Sequence, residues 1–133
     1  MTDRASSSAK KRFPKIRRLL RHADFERVYK QGRRHFAPHF TVFYLARTGE
    51  PDSGNLRIGF TVGKALGGAV QRNRMKRRLR EAVRLNFPAR ELSADVVINP
   101  KLSLLSADFS VVQGEISVAF RAIEKFLAKN KGQ

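Results

Sequence analysis

Residues 63–86, G-K-A-L-G-G-A-V-Q-R-N-R-M-K-R-R-L-R-E-A-V-R-L-N, constrain this chain more than any other stretch. Between positions 69 and 86 stand seven Lys or Arg (Arg72, Arg74, Lys76, Arg77, Arg78, Arg80, Arg84) against one acid, Glu81, with neither Pro nor Gly to interrupt them. That composition predicts one long helix. A helix turns about 100° per residue, so Met75, Leu79, Ala82, Val83 and Asn86 share an arc of roughly 100°, wide enough to seat the helix on a core. The remaining surface is almost wholly cationic. Like charges along about four turns repel one another, and i,i+4 pairing neutralises only one or two of them. A solvated face is the plain explanation of most charge runs. Here six of the seven cations are Arg, whose planar fork suits phosphate better than solubility requires. The helix is built to meet a polyanion.

The whole chain points the same way. Its 133 residues carry a formal net charge of +17, a self-repulsion that an anionic partner relieves. At this length a single domain with one core is expected, and the 41% hydrophobic content supports a globular fold. Nucleic acid is the leading partner. An anionic membrane surface comes second, but there is no apolar run long enough to span, and the basic helix lacks the bulky apolar face of an interfacial one. The first 21 residues lack an apolar segment and do not read as a secretory signal. Cysteine is absent, which excludes disulfides and thiolate metal sites and is compatible with a cytoplasmic address.

The chain in order reads as a flexible basic tail over 1–12, a single nucleic-acid-binding domain over 13–129 and a frayed end over 130–133. Seven basic residues crowd positions 10–21 around Phe13, Ile16, Leu19 and Leu20. Over 23–31, Phe25, Val28 and Tyr29 at i, i+3, i+4 predict a short amphipathic helix, stopped by Gly32. Arg33, Arg34 and His35 then lead to Phe36. The run at 39–46, H-F-T-V-F-Y-L-A, predicts a strand with Phe40, Val42 and Tyr44 on one face and Thr41, Phe43 and Leu45 on the other. Both faces are mostly apolar. Residues 48–55 form a loop, and 56–62 form a strand with Leu56, Ile58, Phe60 and Val62 facing a core. The turn at 63–68 carries Lys64 and three glycines into the basic helix; it lacks the G-x-x-x-x-G-K-[ST] order of a nucleotide-hydrolysing loop. A linker follows Phe87-Pro88. V-V-I within 94–98 predicts a short buried strand ended by Asn99-Pro100, and 102–109 reads as irregular or weakly extended. Ser110 with Gln113 forms a capping-box pattern. Val112, Ile116, Ala119, Phe120, Ile123 and Leu127 then mark a terminal helix that packs on the sheet. The order is helix, strands, helix, strand, helix, an α+β fold arranged as a two-layer α/β sandwich.

Catalytic constellations are missing. His22, His35 and His39 have no acid-base partner at a diagnostic spacing and read as surface residues or phosphate contacts. No H-E-x-x-H or EF-hand pattern occurs, and the eleven acids are scattered with no pair that announces a metal or two-carboxylate site. Neither catalytic nor metal-ligating side chains are expected. If this chain takes part in a reaction, something else supplies the chemistry.

The segment 56–82, L-R-I-G-F-T-V-G-K-A-L-G-G-A-V-Q-R-N-R-M-K-R-R-L-R-E-A, with its R-N-R core at Arg72, Asn73 and Arg74, resembles the signature of the bacterial ribonuclease P protein subunit. The D-F-x-x-V-[FY]-x-x-G pattern at 24–32 and the aromatic strand at 40–45 are similar to that family as well. The resemblance covers roughly residues 10–129. It implies a small basic subunit that joins a catalytic RNA to remove the 5′ leader from precursor tRNA, with the hydrolysis performed by the RNA and its bound Mg²⁺. Lys64, Arg72, Asn73, Arg74, Lys76, Arg77 and Arg80 would then face that RNA, with Asn73 hydrogen-bonding it. Phe25, Tyr29 and Phe43 match the aromatic positions of a cleft that takes the single-stranded leader, where stacking tolerates any sequence.

The resemblance further implies a small mixed sheet with a left-handed crossover, a cytoplasmic protein, and neither DNA nor membrane as partner. Two departures stand out. Ala65 occupies a position where the family often has a second basic residue, and Asn99-Pro100 replaces a small-basic pair, with Lys101 placed to substitute. The principal alternative is a ribosomal or other structural RNA-binding protein. A DNA-binding module ranks third, because no short helix, turn and recognition helix can be placed and the cations surround the helix instead of forming one base-reading edge.

Overall fold

The computed structural model describes residues 22–47, 56–88 and 92–131. The expected tail at 1–12, the lead-in at 13–21 and the loop at 48–55 lie outside the described residues, as do positions 89–91 of the linker. Helix α1 (His22–Gln31) is followed by strands β1 (Arg33–Phe36), β2 (Phe40–Ala46) and β3 (Leu56–Phe60). Helix α2 (Ala69–Leu85), strand β4 (Ala94–Pro100) and helix α3 (Phe109–Lys131) complete the chain. The strands form one mixed sheet in the order β1-β2-β4-β3. β1 and β2 are antiparallel, as are β2 and β4. β3 and β4 are parallel and are joined through α2.

Alternation along the strands decides what each face holds. Phe40, Val42, Tyr44, Leu56, Ile58, Ala94, Val96 and Ile98 point one way and form the main core with α2 and α3. α2 contributes Met75, Leu79, Ala82 and Val83, all fully buried, four of the five positions on the predicted apolar arc. The fifth, Asn86, caps the helix: its Nδ2 donates to Ala82 O (2.8 Å) and to Gln113 Oε1 of α3 (3.1 Å). α3 buries Val112, Ile116, Ala119, Phe120 and Ile123, with Leu127 partly covered. Fully burying each Val, Leu, Ile, Phe or Met side chain among them contributes about 1.5–3 kcal/mol, and each Ala less.

The other face, with Phe43, Asp95, Asn99 and Arg57, carries α1, whose Val28 is fully buried. Helices therefore cover both sides of the sheet, which is why β2 is apolar on both. Gly32 ends α1 because of crowding: a Cβ there would lie 2.5 Å from Val28 O and 2.6 Å from Tyr44 O.

Several local expectations are revised. The stretch from Arg33 to Phe36 is a strand, not a lead-in; its charged sequence suits an edge, where exposed cations blunt pairing with other chains. Strand β4 runs through Asn99 and Pro100. Lys101 N donates to His39 O (2.9 Å), so Phe40 and Pro100 form a non-hydrogen-bonded pair, and the N–H that proline lacks is not one that β2 needs. Leu102–Leu105 is a 3₁₀ turn that buries Leu104 completely, not an extended segment. Ser110 lies inside α3, whose first bonds run from Val111 N and Val112 N to Asp108 O. Gln113 holds Asn86 instead of closing a capping box. The helix continues to Lys131, and 132–133 lie outside the described residues.

Candidate RNA interface

Gly67 sets up the basic helix. Its φ of 129° is one that L side chains rarely adopt. The turn places Gly68 N against Gln71 Oε1 (3.1 Å) at the start of α2. Arg72 Nε donates to Gly67 O (3.2 Å), so Arg72, half-buried, braces the turn as well as flanking the helix. Lys64, in a short 3₁₀ turn, is exposed, as are Asn73, Arg74, Arg77 and Arg80; Lys76 is half-buried. Arg74, Arg77 and Arg80 make no ion pair with a described residue. Glu81, the one acid of the helix, is taken by Arg84, whose Nε lies 3.1 Å from Glu81 Oε1 and whose Nη2 bonds Oε2. That hydrogen bond raises the Arg84 pKa above its ordinary value. The structure thus brings the predicted RNA-facing residues onto one helix and its preceding turn.

The cleft residues meet on the opposite face of the sheet. The Tyr29 and Phe43 rings stand edge to face, 4.9 Å apart with planes at 89°. The Tyr29 hydroxyl donates to Asn99 Oδ1 (3.1 Å) and shares a second bond with Thr61 Oγ1 (3.0 Å). Phe25, half-buried, lies one turn earlier on α1. Three neighbours escaped the sequence reading. Arg34 lies opposite Phe43 in the ladder with its guanidinium 5.3 Å from the ring centroid. Phe36, two residues on and therefore on the same face, is 67% exposed. Asn99, expected only as a lost basic contact, anchors Tyr29. Recognising β1 as a strand is the signal that would have aligned Arg34 and Phe36 with this face. Lys101, the expected substitute, is exposed with its Nζ 3.4 Å from Ala37 O.

Beside the rings runs an ionic network that the sequence did not announce. Asp95, fully buried on β4, accepts from Arg57 at both oxygens (2.9 Å each) and from Arg27 Nη2 (3.1 Å), with Arg47 Nε at 3.7 Å. Asp24 on α1 accepts from Arg27 (2.9 Å) and Arg57 (3.5 Å). The network fixes α1 to the sheet and hence sets the position of Tyr29 over Phe43. His39 is also structural: its Nδ1 lies 2.8 Å from Ser103 Oγ and its backbone N donates to Glu115 Oε1 (3.2 Å). His35 is half-buried on β1, and the His22 side chain lies outside the described residues.

Among the described residues no group of three His, Cys, Asp or Glu is placed to hold a metal, and the Asp24–Asp95 carboxylates are taken up by arginine. Those residues do not fit a Mg²⁺ ion of the chain's own. No helix among the described residues is long and apolar enough to cross a membrane.

The family model described as Ribonuclease P matches residues 13–124. The ribonuclease P protein component of Finegoldia magna is 44% identical over 85 residues, covering 63% of this chain and 70% of that protein. That of Syntrophus aciditrophicus is 36% identical over 104 residues, 78% of this chain and 84% of the relative. The solved RNase P protein of Staphylococcus aureus superposes with a TM-score of 0.65 at 26% identity, covering 84% of this chain and 95% of its own. The RNase P protein of Thermotoga maritima gives 0.64 at 25% identity, with coverages of 81% and 96%. The mixed four-stranded sheet, the helix order and these relatives agree: the chain belongs to the ribonuclease P family, as its protein subunit.

Proposed function

We propose that this subunit docks the catalytic RNA of ribonuclease P on the cationic face of α2 and Lys64, and holds the 5′ leader of precursor tRNA in the cleft between α1 and the sheet. The observation that carries the reading is the division of α2. Four aliphatic positions lock it into the core, while Asn73, Arg74, Arg77 and Arg80 stand exposed on the remaining arc. Guanidinium forks without carboxylate partners among the described residues suit phosphate. Family membership sets aside the ribosomal-type alternative.

The cleft lies on the opposite sheet face, yet its far end is close in sequence to the turn that leads into the helix. Thr61, bonded to Tyr29, precedes Lys64 by three residues. Tyr29, Phe43 and the Arg34 plane above Phe43 offer stacking surfaces that do not depend on base identity, which suits leaders of varied sequence. Catalysis falls to the RNA. The side chains here bind and orient, and Mg²⁺ is held mainly by RNA phosphates that the α2 cations help to gather.

Reconstitution with ribonuclease P RNA and precursor tRNA at low Mg²⁺ tests this reading. The protein is expected to stimulate cleavage, and a protein that binds the RNA without stimulating it would sink the proposal.

A further inference from the structure

The cations of α2 do not form one uniform surface. On a helix turning about 100° per residue, Arg74 and Arg78 lie on the flank toward α3, while Arg72 and Lys76 lie on the other. On the first flank an open groove of about 330 Å³ runs between α2 and the start of α3, lined by Arg74, Arg77, Arg78, Glu81 and Phe109. Glu81 is held by Arg84, which is outside the groove, so the groove itself is cationic.

Arg78, which the sequence reading counted only as charge, is fixed in place. Its Nη2 donates to Ala107 O, and its guanidinium lies 5.8 Å from the centre of the Phe109 ring. Its Nε is buried with no partner among the described residues, a cost the fold tolerates to keep this arginine at the groove wall. A ring beside a guanidinium plane, with two further guanidinium forks at the rim, combines the two chemistries of a nucleotide: a flat base and a phosphate. The volume, at the low end of the roughly 300–1,000 Å³ of ligand pockets, leaves room for about one nucleotide.

We propose that this groove captures a single unpaired nucleotide of the partner RNA, its base against Phe109 and Arg78 and its phosphate on Arg74 and Arg77. The proposal rests on the RNA-docking reading of α2 and adds a stacking contact to an otherwise electrostatic surface.

The test is the affinity of the full chain for ribonuclease P RNA across a salt series. Phe109→Leu, which keeps an apolar side chain against the core, is expected to lose roughly tenfold in affinity with the salt slope unchanged, and Phe109→Tyr to retain the affinity. Thermal melts of both variants separate loss of folding from loss of binding. Because the chain has no cysteine, a photoreactive group on Ser110→Cys reports the neighbourhood directly, and an unpaired nucleotide is the expected cross-link.

Wild-type affinity for folded Phe109→Leu or cross-links confined to paired nucleotides would each overturn the pocket. Arg72→Ala and Arg80→Ala, outside the groove, separate the two readings. If they weaken RNA binding while Phe109→Leu does not, only the pocket fails; if none of them does, RNA docking on α2 fails with it.

Discussion

Two sets of arginines in this protein share a side chain and little else. Arg27, Arg47 and Arg57 converge on Asp95, and two of them also reach Asp24, between α1 and the sheet. Arg74, Arg77 and Arg80 project from α2 with no carboxylate among the described residues. The first set satisfies a buried charge and holds an element in place. The second finds no such partner among the described residues. What distinguishes a structural guanidinium from a binding one is the partner that folding supplies.

The largest effect is expected where the first set is broken. Asp95→Asn leaves three arginines around a neutral amide that is itself fully buried, with Arg27 42% and Arg57 23% exposed, and removing one partner of a buried ionic cluster costs up to about 3–5 kcal/mol, less where its partners reach solvent. Chemical denaturation should show that loss. A stability change under about 1 kcal/mol would mean that the network is solvated and that α1 is held by Val28 and the rings instead.

Next comes the aromatic pair, Tyr29 and Phe43, that lies beside this network. Phe43→Ala should weaken precursor tRNA binding by about 1–3 kcal/mol per stacked base and leave mature tRNA binding nearly unchanged. Equal losses for the two would assign Phe43 to packing against Tyr29 alone. The smallest effect belongs to the pair on the outer face of α2. Glu81 is 45% exposed at its side chain, and an exposed i,i+3 pair contributes only about 0–1 kcal/mol. Glu81→Gln should therefore leave the melting temperature almost where it was, and a large fall would promote Glu81 to the structural set.

The same comparison explains what was legible in the sequence. α2 was readable to within a residue because both its signals are local: an aliphatic arc at helical spacing and an uninterrupted cationic run. The two-faced apolarity of β2 was equally visible, though its reason, a helix on each side, needed the fold. Strand β1 was not legible, because an edge strand of Arg-Arg-His-Phe owes its existence to pairing with β2 and not to its own propensity. Phe36 and Arg34 were lost with it. The Asp95 network was invisible for a related reason: its bonded pairs lie as far as 68 residues apart in sequence, and an acid inside an A-D-V-V-I-N-P strand carries no local mark of its arginines. Phe109 and Arg78 meet only because α3 begins beside α2. Family resemblance supplied the cleft residues Phe25, Tyr29 and Phe43; spacing alone supplied none of them.

The central claim, that the exposed arginines of α2 are satisfied by RNA phosphate, is tested most directly by the salt dependence of binding to ribonuclease P RNA. Each phosphate contact adds about 0.7–0.9 to the slope of log K against log salt. Arg74→Ala/Arg77→Ala/Arg80→Ala should therefore flatten the slope by about 2–3 while leaving thermal stability close to that of the parent protein. An unchanged slope with weakened binding, or a parent-like affinity at every salt concentration, would contradict the account.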